Sequence, residues 1–441
     1  MRLKLLAMCF PLICLSDTCF AEPMSVLEVY EIARETDPML AMARYQVDGA
    51  EAQRDVTRGQ MLPQLSIFGD WSENKVRYEG TLTSQIPSQD YPGERYGLQL
   101  RAPLFNMRTW KEYERRGALV AQSREKLSLA ESDLLGAVVE VYLNVLLADE
   151  NLAQLQAEFE ALEAEVELAE ALYSRSLLPV TQLLETQTRK DTLAADVAGA
   201  QGQTAIAREK LIQVAGIRNV DPEPVAERMV LTTSVSDIES AAALAMEFDP
   251  AIAAASDAVS AARKGISREK GSWLPEIDFV YNSQYSDVGF DNLTSPPRTS
   301  ESYSVSLRYP LFEGGAGSAR LRGAWAEFYT AQQELEEAKR QASGRARAAW
   351  VNLNAASERV QATRQAVRTA EVNLDAAKKA VKAGTARVTD VIVALAQNTR
   401  AQRDLNQARF QEALGWLELE LSTGKDPVAL APRFSSALHG Y

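Results

Sequence analysis

The chain is acidic, and its composition leaves several functions without the residues they need. Its 441 residues include 60 acidic and 47 basic side chains, for a formal net charge of −13, so it lacks the positive charge with which proteins hold nucleic-acid phosphates. One histidine and three cysteines are too few for a metal enzyme or for histidine-assisted nucleophilic catalysis. We therefore expect no enzyme activity, no cofactor, no bound metal and no nucleic-acid partner.

The first 21 residues have the order of a secretory signal peptide. Arg2 and Lys4 precede an apolar segment, and Ala21 is the small residue at the expected cleavage point. Cleavage there would remove all three cysteines, two basic residues and one acidic residue, leaving 45 basic and 59 acidic residues and a net charge of −14. The exported chain would then have no thiol available for a disulfide.

The rest of the chain has no apolar run long enough for a membrane helix. Such a helix needs about 18 or more consecutive apolar residues, and no stretch after Ala21 provides them. If the mature chain enters a membrane, we expect a β-barrel, because a closed barrel also satisfies every backbone hydrogen bond in lipid.

Helix signals open the mature chain. Ser25 caps a short helix that runs to about Thr36, and Asp37-Pro38 starts a second that runs to about Gln60. Farther along, residues 106–176 have helical composition, a turn follows at 177–179, and another helix is predicted to about residue 215.

Between these helices, two segments alternate apolar and polar residues, the period of a strand with unlike faces. We predict strands over 64–75 and 95–102, joined by a loop over 79–93 that is rich in Gly, Pro, Ser and Asp. Phe68 breaks the polar face of the first strand. The apolar rows are Leu65, Ile67, Gly69 and Trp71 in the first strand, and Tyr96, Leu98, Leu100 and Ala102 in the second.

The same order of elements occurs twice. Asp37-Pro38 returns as Asp249-Pro250, 212 residues later, and Pro103-Leu104-Phe105 returns as Pro310-Leu311-Phe312, 207 residues later. The offset changes within the hairpin, whose second loop is shorter, as a duplication predicts. We predict a signal peptide over 1–21, a first repeat over 22–216, a linker over 217–236, a second repeat over 237–424, and a polar C-terminal tail over 425–441 that contains His439.

The second repeat adds strands predicted over 276–284 and 302–309. In the last of these, Tyr303, Val305, Leu307 and Tyr309 share one face, and the aromatic ends resemble those of a lipid-facing barrel strand. Four strands are too few to close a membrane barrel, so several chains must share one. Periodicity alone leaves the number of chains open at two, three or more.

A long helix follows the last strand. Residues 318–383 contain no proline and predict a helix about 100 Å long at ~1.5 Å per residue. Its length and many charges exclude a membrane span.

Several short motifs, in this order and spacing, resemble those of the TolC family of outer-membrane channels. The likeness covers nearly the whole mature chain. The motifs are Val29-Tyr30, Leu62-Pro63-Gln64-Leu65, the two Pro-Leu-Phe corners with Gly314-Gly315, the turn over 384–391, Ala413-Leu414-Gly415 and Thr423-Gly424.

The resemblance implies a fold of the α+β class, mainly α, in which a homotrimer shares one membrane β-barrel of four strands per chain above a periplasmic α-helical barrel. It implies a passive exit duct in the outer membrane of a Gram-negative bacterium, surrounded by outer-membrane lipid, for tripartite efflux or type I protein secretion. The implied partners are a periplasmic adaptor protein and an inner-membrane pump of the RND or ABC type.

The resemblance also implies that the pore narrows at the two helical turns. Asp390 stands where the family carries the first of two pore-ring aspartates, and Val393 stands where it carries the second. Three copies of Asp390 would form an acidic ring of the kind found in cation-selective pores. A first-turn carboxylate that only favours the helix dipole is the simpler alternative.

The gate contacts of the family are replaced in this chain. The family pairs an arginine with an aspartate that follows a threonine, and here those places hold Ala386 and, after Thr181, Gln182. Arg387 lies next to Ala386, but its direction differs by about 100° around a helix. The nearby tyrosine place holds Val381.

The two tip turns are the candidate contact surface for the adaptor. The candidates are Ser176, Leu177, Leu178 and Pro179 in the first turn, and Ala383, Gly384 and Thr385 in the second.

A row of apolar residues after the second turn has a purely structural interpretation. Val388, Val391, Ile392 and Leu395 recur at helical spacing and are most simply helix-packing residues. Two other functions stay open at this point, a stand-alone diffusion porin and a soluble, structural coiled-coil protein of the periplasm.

An interfacial aromatic girdle is predicted from Tyr96, Tyr281, Tyr285, Tyr303 and Tyr309.

Overall fold

A computed structural model describes residues 23–76, 89–218, 220–226, 229–288 and 296–439. The predicted signal peptide and parts of both predicted strand loops lie outside these ranges, so cleavage after Ala21 stays a prediction.

Helices dominate the described chain, and two of them are very long. Where the sequence predicts the bounds of a helix, they agree with those observed to within about two residues. The helices are α1 (Val26–Thr36), α2 (Pro38–Gly59), α3 (Met107–Ser174), α4 (Val180–Ala215), α5 (Ile238–Phe248), α6 (Pro250–Gly271), α7 (Ala316–Lys382), α8 (Val388–Ser422) and α9 (Pro427–His439).

The duplicated helix starts have the same chemistry in both repeats. Asp37 accepts a hydrogen bond from the backbone N–H of Leu40, and Asp249 accepts one from the N–H of Ala251, each just before a proline in the first helical turn. The aspartate side chain accepts a hydrogen bond from a first-turn backbone N–H that has no partner within the helix. The proline has no N–H, so it leaves no donor unpaired at that position. The Asp-Pro motif therefore starts α2 and α6 for the same physical reason.

Two strands from each repeat form one antiparallel sheet, in the strand order β2-β3-β5-β6. A second, two-stranded sheet joins β1 and β4 in parallel. The strands are β1 (Pro23–Met24), β2 (Gln64–Val76), β3 (Gln89–Phe105), β4 (Asp221–Pro222), β5 (Glu276–Val288) and β6 (Arg298–Arg308).

The strands are longer than their alternation predicts. The prediction of a loop over 79–93 is wrong for residues 89–93, because Val76 pairs with Gln89 and the ladder continues from there. Strand β3 begins at Gln89 rather than at 95 and ends at Phe105 rather than at 102, and β5 ends at Val288 rather than at 284. Strand β6 spans 298–308 rather than 302–309. Backbone pairing extends these strands past the residues whose pattern reveals them.

The register confirms the predicted faces of the sheet. Leu65, Leu100, Tyr281 and Tyr303 lie opposite one another across all four strands. The other face is polar, and there Arg101 forms an ion pair with Asp278 at 2.6 Å. Because side chains alternate between the faces, the whole sheet has one apolar and one polar surface.

Phe68, the residue that breaks the polar face, has a packing role. It pairs across the strands with Gly97, and a Cβ placed on Gly97 would lie 2.9 Å from Phe68 Cζ and still closer to the carbonyl oxygen of Ser283. The ring therefore covers a position that can hold only glycine.

The helices pack as two hairpins, α3 with α4 and α7 with α8, joined where α3 contacts α8. The largest buried cluster lies where α1, α3, α4, α8 and α9 meet. The predicted polar tail is wrong for residues 427–439, because α9 packs its apolar side into this core and Phe434 is 0% exposed. His439, at the end of that helix, lies 3.5 Å from Glu223.

Candidate pore tip and membrane-facing sheet

The apolar face of the sheet is largely uncovered in a single chain. Ile67 is 82% exposed, and the other apolar residues of the β2 and β6 rows are also exposed. A contiguous apolar surface of this kind marks a contact with lipid or protein. These exposed residues are Leu65, Trp71, Tyr303, Val305, Leu307 and Tyr309.

Four of the tyrosines predicted for the girdle pair up on this face. The rings of Tyr96 and Tyr285 stack with centroids 4.8 Å apart, and those of Tyr281 and Tyr303 are 4.7 Å apart. Tyrosine is enriched where apolar and aqueous surroundings meet. The arrangement is the one that a membrane boundary favours.

The sheet has two free edges in the described chain. Strands β2 and β6 are its outermost members, and each has a strand neighbour on one side only. Unpaired edges are not tolerated in lipid because their N–H and C=O groups would lose water without gaining a partner. A single sheet of this kind needs further strands beside it.

Charged side chains connect the helices directly below the sheet. Glu112 of α3 forms ion pairs with Arg115 at 2.8 Å, Arg116 at 2.7 Å and Arg268 of α6 at 3.2 Å. Arg268 also pairs with the buried Glu269 at 2.5 Å. Burial alone would raise the pKa of Glu112, but the hydrogen bonds and charges of Arg115 and Arg268 lower it to about 2.

The two tip turns close by similar hydrogen bonds at the far end of the hairpins. The N–H of Leu177 donates to Leu172 O at 2.9 Å, and the N–H of Thr385 donates to Ala380 O at 3.0 Å. Gly384 has a φ of 75°, a conformation that glycine adopts without strain. Of the predicted adaptor contacts, Leu178 is half-buried and the other six residues are exposed.

The pore candidates lie just past these turns. Asp390 is exposed, and its Oδ2 accepts a hydrogen bond from the backbone N–H of Arg387 at 2.9 Å. Val393, one turn farther along α8, is 56% exposed. Ala386 is half-buried. The structure therefore brings these four residues together at the start of α8.

Thr181 and Gln182 occupy the corresponding place at the start of α4. Thr181 is exposed and Gln182 is half-buried. Their assignment to a gate stays a prediction.

Sequence reasoning missed a groove above the tip. It has a volume of about 1160 Å³ and is lined by α3, α4 and α8, including Val393. In its wall Arg189 of α4 pairs with the buried Glu158 of α3 at 3.5 Å. The sequence contains a sign of this ion pair, because Glu158 lies on the same face of α3 as Leu155 and Leu162, where a charged residue is unexpected.

A buried apolar cluster forms part of the wall of this groove and includes residues of both hairpins. Its buried members are Leu155 and Leu162 of α3, Leu193 and Ala200 of α4, and Ile392 of α8. Val381 of α7 packs against it, with Leu152, Phe159 and Val197. The side chain of Val388 lies outside the described part of the structure.

The described residues contain neither a membrane-spanning helix nor a cluster of metal-binding side chains. None of the helices in the described ranges is both long and apolar enough to cross a membrane. Among the same residues, no cluster of three or more His, Cys, Asp or Glu side chains is arranged to hold a metal ion.

Comparison with known proteins decides the family. The family model described as "Outer membrane efflux protein" matches residues 29–217 and 242–425. The chain belongs to the outer membrane efflux protein family. Its TolC-like resemblance is thereby confirmed, and the two matched segments overlap the two predicted repeats, whose exact bounds stay a prediction.

Relatives match along nearly the whole chain. The proteases secretion protein PrtF of Dickeya chrysanthemi is 24% identical over 427 residues, 95% of this chain and 92% of PrtF. The alkaline protease secretion protein AprF of Pseudomonas aeruginosa is 24% identical over 422 residues, 94% of this chain and 86% of AprF. The outer membrane protein VceC of Vibrio cholerae has the same fold, with a TM-score of 0.76, 20% identity, and coverage of 90% of this chain and 96% of VceC.

Membership in the outer membrane efflux protein family excludes one of the two alternative functions that the sequence left open. The protein is an exit duct of the outer membrane with a large periplasmic helical part. The soluble coiled-coil alternative is therefore wrong. The family consists of transport ducts rather than enzymes.

Proposed function

We propose that three copies of this chain form one passive duct, in which their sheets join into a membrane barrel and their hairpins form a periplasmic tunnel. The observation that carries this proposal is the open four-stranded sheet, which has an exposed apolar face and, within the described residues, free edges at β2 and β6. Three such sheets joined edge to edge leave no edge unpaired.

The internal repeat supports a partner copy independently. Helix α6 packs against both α3 and α7, whereas its repeat counterpart α2 packs chiefly against α3. The opposite side of α2 exposes Met39, Met42 and Tyr45. If the repeats are used equivalently, α7 of a neighbouring copy covers this side of α2.

The helices provide the length of the duct. Helix α3 has 68 residues and α7 has 67, which corresponds to about 100 Å each at ~1.5 Å per residue. Starting directly below the membrane sheet, such helices reach far into the periplasm. The chain needs no catalytic site for transport, because the inner-membrane pump supplies the energy that moves the cargo.

We propose that the tip turns meet a periplasmic adaptor protein, which connects the duct to an inner-membrane pump of the RND or ABC type. PrtF and AprF are named for the secretion of proteases. These names favour a protein as the cargo, moved by an ABC pump. They speak less for small toxic compounds moved by an RND pump.

A deletion strain tests the function and the cargo together. Loss of the chain should abolish the export of at least one protein into the medium while leaving drug susceptibility unchanged. Increased drug susceptibility with normal protein export would instead assign the duct to efflux. Neither effect, together with large steady currents from the purified protein in planar bilayers, would support the diffusion-porin alternative.

A further inference from the structure

We infer that Ile392 and Val381 fasten the second helical hairpin to the first one above the tip, through an apolar latch that takes the place of the polar gate pair missing from this chain. This inference rests on the proposed duct. The latch is defined here as Leu155, Leu162, Leu193, Ile392 and Val381.

The latch contains residues of both hairpins. Leu155 and Leu162 lie on α3 and Leu193 lies on α4, the two helices of the first hairpin. Ile392 comes from α8 of the second hairpin, and Val381 of α7 packs against the same cluster. Separating the hairpins at this level would expose these side chains to water.

Burial shows how closely the latch is packed. Leu162 is 1% exposed and Ile392 is 9% exposed in a single chain. On α7, by contrast, Val372 lies nine residues before Val381 and is 70% exposed. Apolar burial is nondirectional and is not screened by salt as an ion pair is, so the latch closes the hairpins by a different force from an ion pair.

The polar alternative is absent at the places where the sequence match puts it. Gln182 and Ala386 replace the two charged gate partners. The carboxylate of Asp390 accepts a hydrogen bond from the N–H of Arg387, within the first turn of its own helix. Its nearest observed hydrogen-bond partner is therefore not on the other hairpin.

Opposite charges on the two hairpins lie near the latch. Burial raises the pKa of Glu165 on α3, and the positive charge of Lys378 on α7 acts in the opposite direction. Lys378 thus lies close enough to Glu165 to favour its charged form. Both residues are within one turn of a latch residue in sequence, Glu165 of Leu162 and Lys378 of Val381.

Single-channel recording with asparagine variants tests the latch. Ile392→Asn and Val381→Asn should each raise the fraction of time that the purified channel is open by about tenfold, as expected from loss of a buried apolar contact. The matched control Val372→Asn, on an exposed face of α7, should gate as the wild type does.

Cross-linking provides a test that does not depend on weakening the fold. Because all three cysteines lie in the first 19 residues, introduced cysteines would be the only thiols after cleavage at the predicted site. A reducible bifunctional thiol reagent joining Leu162→Cys to Ile392→Cys should block opening until the reagent is reduced. Joining Asn373→Cys to Gln397→Cys, two residues outside the latch whose side chains lie 3.5 Å apart within the second hairpin, should leave gating unchanged.

The outcomes separate the latch from the duct. If Ile392→Asn and Val381→Asn gate like Val372→Asn, or if the cross-link between hairpins has no effect, the latch is wrong and the duct stands. If the wild type forms no channel under any condition, the duct is wrong. Should Ile392→Asn fail to assemble, Val381→Asn and the reversible cross-link still decide the matter.

Discussion

The backbone N–H of Arg387 donates a hydrogen bond to Asp390 Oδ2 over 2.9 Å, so the candidate pore aspartate also stabilises the start of its own helix. A carboxylate in this position accepts a hydrogen bond from a backbone N–H that has no partner within the helix. Its negative charge also interacts favourably with the positive end of the helix dipole. Its two roles can be separated, because an asparagine keeps the acceptor and removes the charge.

We predict that Asp390→Asn removes block of the channel by a trivalent cation while retaining the start of α8. Three neutral amides at a constriction would no longer bind cations as three carboxylates do. The measurement is the blocking concentration in planar bilayers, with Asp375→Asn, an exposed carboxylate on α7, as the control. Unchanged block in Asp390→Asn would show that Asp390 does not line the pore.

We predict that Leu98→Lys reduces the yield of assembled protein, whereas Gln99→Lys does not. Leu98 lies in the apolar row of the sheet opposite Ile67, and Gln99 points to the polar face. A lysine facing the centre of the bilayer costs about 2–4 kcal/mol. Yield is measured as heat-resistant oligomer in detergent, and the reverse result would mean that the two faces have been exchanged.

The ion pairs of Glu112 predict a pH-dependent stability below the sheet. Its pKa is lowered from 4.5 to about 2 in the folded protein, so its stabilisation is complete above pH 4.5 and is lost as the pH falls toward 2. We predict that Glu112→Gln lowers the thermal midpoint at pH 7 and that the difference from the wild type shrinks below pH 4.5.

A surface pair supplies the control for that experiment. Glu336 of α7 pairs with Lys339 at 2.8 Å in an exposed position, where such pairs contribute little. Glu336→Gln should leave the midpoint nearly unchanged at pH 7. An equal effect of both substitutions would remove any special role for the Glu112 cluster.

We predict that Gly97→Ala impairs assembly more than Gly69→Ala does. A methyl group on Gly97 would meet the carbonyl oxygen of Ser283, which is fixed backbone, whereas one on Gly69 meets only the ring of Trp71, an exposed side chain that can turn away. The comparison is made by the temperature at which the oligomer dissociates on gels. Similar temperatures for the two variants would contradict this packing account.

The parts of the fold that depend on local chemistry were predictable from the sequence. The Asp-Pro caps, the proline-free helices and the alternating strand faces all follow from residues within a few positions of each other. The duplication added long-range information, because matching Pro103 with Pro310 placed both strand-to-helix corners.

The missed features depend on contacts between distant residues. Gln89 joins a strand because Val76 lies opposite it. Helix α9 is stabilised by a core built from α1, α3 and α8, and its own sequence contains Pro432 within the helix. For the same reason, the latch was invisible, since Ile392 and Leu162 are separated by about half of the chain.

The number of chains in one assembly tests the central claim most directly. Native mass spectrometry of the processed protein, released from a mild detergent, measures that number without reference to cargo or partners. Three copies per particle are expected, since three four-stranded sheets close one barrel and leave no free edge. A folded monomer as the main species would contradict the shared barrel and with it the proposed duct.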